Sequence, residues 1–145
     1  IGRLQPEDQK RVGDAMQLVG MSGYADKTRD KMSDGECQRI MIARALAQDT
    51  PVILLDEPTA FLDLPGRYEL CLLLKKLTQE KKKCILFSTH DLDIALSLCD
   101  SILLIDTPHM YALPTSEMVA SGHIERLFRN EAVTFDAREM KVRIR

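Results

Sequence analysis

Residues 52–58 read Val-Ile-Leu-Leu-Asp-Glu-Pro, four apolar residues followed at once by two carboxylates and a proline. An unbroken apolar run of this length, bounded by polar residues, is typical of a strand buried on both faces in a parallel sheet. The carboxylates then lie at the carboxyl end of the strand, where α/β proteins bind their ligands. The stretch therefore predicts an α/β fold with a polar site at one edge of its sheet.

The segments around this strand alternate between helix and strand patterns. Asp63 and Pro65 are typical of a helix start, and the leucines that follow recur at i, i+3, i+4 and i+7 as one apolar stripe. Other helices are predicted over 6–20, 35–48, 92–99 and 116–128. Other strands are predicted over 84–87, 102–105 and 110–113, with a hairpin at Thr107-Pro108 between the last two and weak strand character over 133–144. The alternation predicts a mostly parallel sheet flanked by helices.

Composition excludes several classes of protein. With 145 residues, 45% apolar and 29% charged, the chain suits one globular domain rather than a disordered segment. A net charge of -2 gives no electrostatic footprint for nucleic acid. No apolar stretch approaches the roughly 18 residues of a membrane span, so any membrane association is expected to go through a partner. The four cysteines are widely spaced and are expected to be reduced core thiols.

Asp56 and Glu57 form the first motif with the residue types that phosphate chemistry needs. One carboxylate can hold Mg²⁺ through its oxygens while the other orients and deprotonates a water molecule. A polar loop end with a helix cap is the alternative interpretation of the same residues.

Two further motifs also allow a structural interpretation. Residues 88–91, Ser-Thr-His-Asp, follow an apolar run, but a lone histidine is usually structural and Asp91 is suited to capping a helix. Residues 32–36, Met-Ser-Asp-Gly-Glu, precede an apolar helix, and Ser-x-x-Glu there is a capping box. The free amides and the dipole at a helix N-terminus also form a natural site for an anion.

The order and spacing of these motifs resemble the C-terminal half of ABC-type ATPases. The resemblance runs from the first helix to about Phe135. It rests jointly on Met-Ser-Asp-Gly-Glu, Val-Ile-Leu-Leu-Asp-Glu-Pro-Thr-Ala-Phe-Leu-Asp and Phe-Ser-Thr-His-Asp. It implies a partial P-loop NTPase-like domain. Residues 1–50 would then be part of a helical subdomain with the signature motif and its helix. Residues 51–145 would be the C-terminal part of the RecA-like core, with the Walker B, D-loop and switch-histidine motifs.

The resemblance also implies a role for each matching residue. Asp56 is the Walker B aspartate that holds Mg²⁺, and Glu57 is the general base for the attacking water. His90 is the switch histidine, which contacts the γ-phosphate and helps to hold that water. Cofactor-binding residues are expected in the signature and the D-loop, which face the other subunit of a head-to-tail homodimer: Ser33, Gly35 and Asp63.

The sequence departs from the family pattern in two places. Asp34 replaces the first glycine of the signature and brings a negative charge close to the expected triphosphate, which the helix dipole partly offsets. No Gly-x-x-x-x-Gly-Lys-Ser/Thr occurs, and that loop would cradle the phosphates. Because Ile1 is also not an initiator methionine, we expect a fragment whose N-terminal phosphate-loop half is missing. Alone it should bind ATP weakly, show little ATPase activity and associate through exposed sheet edges.

The loop over 58–63 and the Thr-His-Asp-Leu-Asp-Ile-Ala segment at 89–95 resemble those of bacterial importer ATPases. With residues 42–49, they are similar to ATPases that import iron complexes, haem and cobalamin. The resemblance implies an ATP-hydrolysing subunit that uses ATP and Mg²⁺. It would sit on the cytoplasmic face of the inner membrane through a transmembrane permease, with no nucleic-acid partner. The alternative is a non-transport ABC ATPase of the translation-factor or DNA-repair type, which a neighbouring permease gene would argue against.

Overall fold

The computed structural model describes residues 5–128 and 132–144. The chain divides into two compact units, Ile1–His90 and Asp91–Arg145. Each unit contains its own cluster of buried apolar side chains. The subdomain boundary at residue 50, which the family resemblance implies, stays a prediction.

The first unit combines three α-helices with one pair of parallel strands. In chain order they are α1 (Pro6–Leu18), α2 (Asp34–Ala47), β1 (Val52–Leu55), α3 (Leu64–Lys81) and β2 (Cys84–Phe87), with single 3₁₀ turns at Ser22–Tyr24 and Arg29–Lys31. β1 and β2 are in register from Val52 opposite Cys84 to Leu55 opposite Phe87. Each predicted boundary of a helix or strand in this unit is confirmed to within two residues, and α3, for which only the start was predicted, ends at Lys81.

The apolar stripe of α3 forms the centre of this unit. Leu70, Leu74 and Leu77 are buried together with Ile53 of β1 and with side chains from α1 and α2. Leu62, just before α3, is part of the same cluster. The core therefore fixes the loop between β1 and α3, which contains the polar residues of interest.

The other face of β1 and β2 is exposed, so the prediction that these strands are buried on both faces is wrong. Val52 and Leu86 are each 49% exposed and Leu54 is 71% exposed. Alternate residues point to opposite faces of a strand, and the face that carries Ile53 is the one packed into the core. Cys84 is exposed as well, which corrects the expectation that every cysteine lies in a core.

The second unit consists of short helices and two antiparallel hairpins. Its elements are α4 (Leu92–Leu98), β3 (Ser101–Asp106), β4 (His109–Pro114), α5 (Thr115–Ala120), α6 (His123–Leu127), β5 (Val133–Asp136) and β6 (Lys141–Ile144). The helix predicted over 116–128 is interrupted at Gly122, whose φ of +72° lies in the left-handed region that favours glycine. The unit is held by a cluster of four buried side chains, Leu96, Met118, Ile124 and Phe135.

The strand pairing is less parallel than the prediction of a mostly parallel sheet, and the hairpin predicted at Thr107-Pro108 is confirmed. Among the described residues β1 and β2 form the parallel pair, whereas β3 with β4 and β5 with β6 are antiparallel. Parallel neighbours need a crossover of a dozen or more residues, and only two residues separate β3 from β4. The expectation of a mostly parallel sheet therefore holds for β1 and β2 alone.

Candidate functional site

The carboxyl ends of β1 and β2 bring two of the sequence motifs together. The Ser88 backbone N–H donates to the Leu55 carbonyl at 3.0 Å and continues the ladder beyond the strands. The Ser88 hydroxyl donates to Asp56 Oδ1 at 2.6 Å and accepts from the Glu57 backbone N–H at 2.8 Å. Residues that are more than 30 positions apart in sequence thus share one hydrogen-bonded corner.

Glu57 and His90 meet at the same corner. Glu57 has a φ of +40°, and the Ala60 N–H donates to its carbonyl at 2.9 Å to close a tight turn. The side chain of Glu57 lies with Oε1 3.4 Å from His90 Nδ1. The Glu57 side chain is 48% exposed and that of His90 is 78% exposed, so a water molecule or a ligand can reach both.

Ser33 and Gly35 lie in an open groove between the start of α2 and the loop before α3. The groove has a volume of about 360 Å³, and its lining includes Asp34, Phe61 and Asp63. Leu62 lies against Gly35, where a Cβ atom would be 3.8 Å from Leu62 Cδ2. The structure therefore arranges the predicted residues in two sets, one at the strand ends and one in this groove.

The start of α2 has the hydrogen bonds of a capping box. Ser33 Oγ accepts from the Glu36 N–H at 3.3 Å, and the Ser33 N–H donates to Glu36 Oε2 at 2.8 Å. The structural interpretation of the Ser-x-x-Glu motif is thus confirmed. It does not exclude a ligand, because a hydroxyl that accepts one hydrogen bond can still donate another.

Asp63 caps α3 as the sequence indicated. Its Oδ1 accepts from the Gly66 N–H at 3.0 Å. A Cβ atom at position 66 would lie 2.7 Å from that carboxylate oxygen, so a residue larger than glycine there would displace the capping side chain of Asp63. Arg67 Nε also donates to the Leu62 carbonyl at 3.0 Å, which fastens the loop to the first turn of the helix.

Sequence reasoning missed Ser88 and Tyr24 as parts of the site. Ser88 was quoted only as a neighbour of His90, and its contacts depend on the pairing of β1 with β2. The Tyr24 hydroxyl donates to Glu36 Oε1 from a polar connection that had no recognisable pattern. This hydrogen bond is the main cause that lowers the pKa of the Glu36 carboxyl below its usual value of 4.5, with the Ser33 backbone N–H as the next cause.

We expect Glu36 to make the stability of the chain depend on pH below about 4.5. A carboxylate whose pKa is lower in the folded state stabilises that state above its unfolded pKa, and the contribution is lost as pH falls through the folded pKa. The difference in melting temperature between the wild type and Glu36→Gln should be constant above that pH and should shrink below it.

Thermal unfolding between pH 3 and pH 7, followed by circular dichroism, measures this difference. Tyr24→Phe removes the main cause of the shift and should reproduce part of the effect. A wild-type to Glu36→Gln difference that stays the same down to pH 3 would contradict the assignment.

The carboxylate oxygens at the strand ends fit a Mg²⁺ ion that a phosphate ligand also binds. In residues 5–128 and 132–144 no group of three or more His, Cys, Asp or Glu side chains is arranged to hold a metal ion. Mg²⁺ does not need such a cage, since it is usually bound by one or two carboxylates, waters and substrate phosphates. Asp56 meets this requirement, because Ser88 binds Oδ1 and the second oxygen, Oδ2, is the one that a cation can take.

Comparison with known proteins identifies the family. The model of the ABC transporter family matches residues 3–60. An uncharacterized ABC transporter ATP-binding protein of Methanocaldococcus jannaschii is 40% identical over 133 residues, which are 92% of this chain and 43% of that protein. The chain belongs to the ABC transporter ATP-binding family. The iron(3+)-hydroxamate import ATP-binding protein of Bacillus subtilis is 44% identical over 95 residues, 66% of this chain and 35% of that protein.

Solved structures agree with the family assignment. An inward-facing metal-chelate type ABC transporter matches with a TM-score of 0.82 and 27% identity, over 88% of this chain and 52% of that chain. The cbiO1 protein of Clostridium perfringens, part of an ABC transporter complex, matches with a TM-score of 0.74 and 32% identity, over 87% of this chain and 51% of that chain. The predicted P-loop NTPase-like α/β fold is therefore confirmed.

The chain spans about half the length of the ABC relatives it matches. These relatives include import proteins named for petrobactin, thiamine and spermidine/putrescine, so membership of the ABC family does not select one substrate. No helix in the described part of the chain combines the length and the apolar character that crossing a membrane requires. The roles of individual site residues stay predictions.

Proposed function

We propose that the chain is part of the ATP-hydrolysing subunit of an ABC importer. The observation that carries the proposal is the corner at the strand ends, where Asp56, Glu57 and His90 are brought together. Two carboxylates and an imidazole at one corner are suited to phosphoryl transfer to water, in which positioning and charge supply most of the catalysis.

Glu57 is the proposed general base. Its half-exposed carboxylate accepts the proton of the attacking water, and His90 helps to hold that water and contacts the γ-phosphate. Asp56 holds Mg²⁺, which when bound neutralises charge on the phosphate oxygens. His90 Nδ1 lies 3.4 Å from Glu57 Oε1, so the imidazole lies beside the proposed base.

The groove at the start of α2 is the proposed contact with a second nucleotide. Ser33 and Gly35 would bind the γ-phosphate of ATP held by the other subunit of a head-to-tail homodimer, with Asp63 at the interface. A helix N-terminus offers free N–H groups and a favourable dipole for such an anion. Asp34 and Phe61 line the same groove and would lie close to that partner.

The proposed partners are the membrane-spanning permease subunits of an importer. The subunit would lie on the cytoplasmic face of the membrane, with residues 1–50 in the helical subdomain and residues 51–145 in the ATPase core. An iron complex or a similar chelate is the proposed cargo. The similarity to proteins named as an iron(3+)-hydroxamate importer and a metal-chelate type transporter supports this choice.

The proposal is tested with the chain alone and with the longer protein that would contain it. Phosphate release from Mg-ATP is expected from the longer protein and not from the 145 residues. Calorimetric titration of the chain alone with Mg-ATP is expected to show weak binding. Stoichiometric binding at micromolar affinity would mean that the chain holds a complete nucleotide site. Absence of turnover in the longer protein would contradict the enzymatic role.

A further inference from the structure

We propose that Ser88 is a positioning residue that holds Asp56 and Glu57 in the arrangement needed for hydrolysis. The inference rests on the proposed function and assigns a role to Ser88, a residue to which the family resemblance gives none. It follows from the contacts of one hydroxyl group at the end of β2.

Ser88 is bonded to three consecutive residues of the neighbouring segment. Its backbone N–H donates to the Leu55 carbonyl at 3.0 Å. Its hydroxyl donates to Asp56 Oδ1 at 2.6 Å and accepts from the Glu57 N–H at 2.8 Å. The donated bond is charge-assisted and short, which is the stronger class of hydrogen bond. One side chain therefore fixes both the carboxylate of Asp56 and the backbone of Glu57.

The backbone of Glu57 needs such a contact. Its φ of +40° lies in the left-handed region, which residues with a Cβ atom rarely adopt. Conformations of this kind persist where the surrounding structure holds them in place. The direction of the Glu57 side chain follows from this backbone angle, and with it the 3.4 Å approach of Oε1 to His90 Nδ1. Ser88 thus acts on Glu57, the proposed base, through the backbone N–H of Glu57.

The hydroxyl, rather than the size of the side chain, carries the proposed role. Ser88 is exposed and is not part of the buried apolar cluster of its unit, so its removal leaves the core intact. Alanine can neither donate to Asp56 nor accept from Glu57, whereas threonine retains both capacities. Ser88→Ala and Ser88→Thr therefore separate the hydrogen bonds from the fold.

The test measures steady-state ATP hydrolysis and its Mg²⁺ dependence in the longer protein. Loss of a group that orients a metal-binding carboxylate typically lowers activity or metal affinity by about 10- to 100-fold. We expect Ser88→Ala to lower kcat by that factor and to raise the Mg²⁺ concentration for half-maximal rate, with little change in KM for ATP. Ser88→Thr should restore most of both losses.

The second unit offers a matched control. Ser121 Oγ also bridges two groups, since it donates to the Met118 carbonyl at 2.7 Å and accepts from the His123 N–H at 3.2 Å. Ser121→Ala removes the same number of hydrogen bonds without contact to a carboxylate. It should leave kcat and the Mg²⁺ dependence unchanged.

A second readout needs no activity. In the 145-residue chain, NMR hydrogen exchange of the Glu57 amide should be faster in Ser88→Ala than in the wild type and in Ser88→Thr. Equal exchange in wild type and Ser88→Ala would overturn the bridge itself. An inactive wild-type longer protein would overturn the proposed function together with this role. An active wild type whose kcat and Mg²⁺ dependence survive Ser88→Ala, or are not rescued by Ser88→Thr, would overturn the positioning role alone.

Discussion

Replacing Glu57 by glutamine in the longer protein is expected to lower ATP turnover by about 100- to 10,000-fold, the usual contribution of a general base. Glutamine has nearly the same size as glutamate and retains an oxygen that can accept from His90, so the corner at the strand ends should keep its shape. It cannot take a proton from water at neutral pH. The chemical step should therefore fail while the nucleotide still binds.

Two measurements separate these effects. Phosphate release gives the turnover, and light scattering with and without ATP gives the dimerisation that ATP is proposed to drive. Glu80→Gln is the matched control, because Glu80 lies on the surface of α3 and pairs with Lys76 at 3.8 Å. Turnover that survives Glu57→Gln would place the base elsewhere. Loss of ATP-driven dimerisation would mean that Glu57 is needed for the shape of the site.

Replacing Leu77 by alanine is expected to lower the free energy of unfolding by about 2–5 kcal/mol, the range for truncating a buried leucine. Leu77 is 1% exposed and lies in the cluster that joins α1, α2, β1 and α3. Removing three carbon atoms there leaves a cavity in the cluster that also holds Leu62, at the end of the loop between β1 and α3. A loss of this size is a large part of the stability of a small domain.

Urea unfolding of the 145-residue chain, followed by circular dichroism, measures this loss. Leu72→Ala is the matched control, because it makes the same substitution on the same helix at a side chain that is 56% exposed. The control should change the free energy of unfolding by much less than Leu77→Ala does. Equal effects at the two positions would mean that α3 is not packed by the stripe that includes Leu77.

Local signals explain most of what the sequence predicted correctly. The cap at Asp63, the capping box at Ser33 and the period of the leucines in α3 each involve residues within one or two turns of each other. Such patterns act through the backbone nearby and need no knowledge of distant contacts. The apolar runs over 52–55 and 84–87 are local signals as well. They placed Asp56, Glu57 and His90 just after the ends of strands, as the structure has them.

The errors arose where a property depends on another part of the chain. A run such as Val52–Leu55 is apolar on both sides, but its burial depends on what covers each face, and here Leu54 is 71% exposed. The contacts of Ser88 depend on which residue of β2 lies opposite Leu55, and the left-handed backbone of Glu57 has no signal in residue type. The hairpin predicted at Thr107-Pro108 is confirmed, since β3 and β4 pair antiparallel and two residues are too few for a crossover.

The exposed apolar face of β1 and β2 has a consequence for how these strands find their alignment. All four residues of β1 are apolar, as are Ile85, Leu86 and Phe87 in β2, so a slip of one residue would exchange two nearly equivalent sets of side chains. Apolar burial alone hardly distinguishes the correct pairing from its neighbour. The hydrogen bonds that Ser88 donates to Leu55 and Asp56, and the one that it accepts from the Glu57 N–H, form only in the correct pairing. The polar corner therefore selects the alignment of the strands that lead to it.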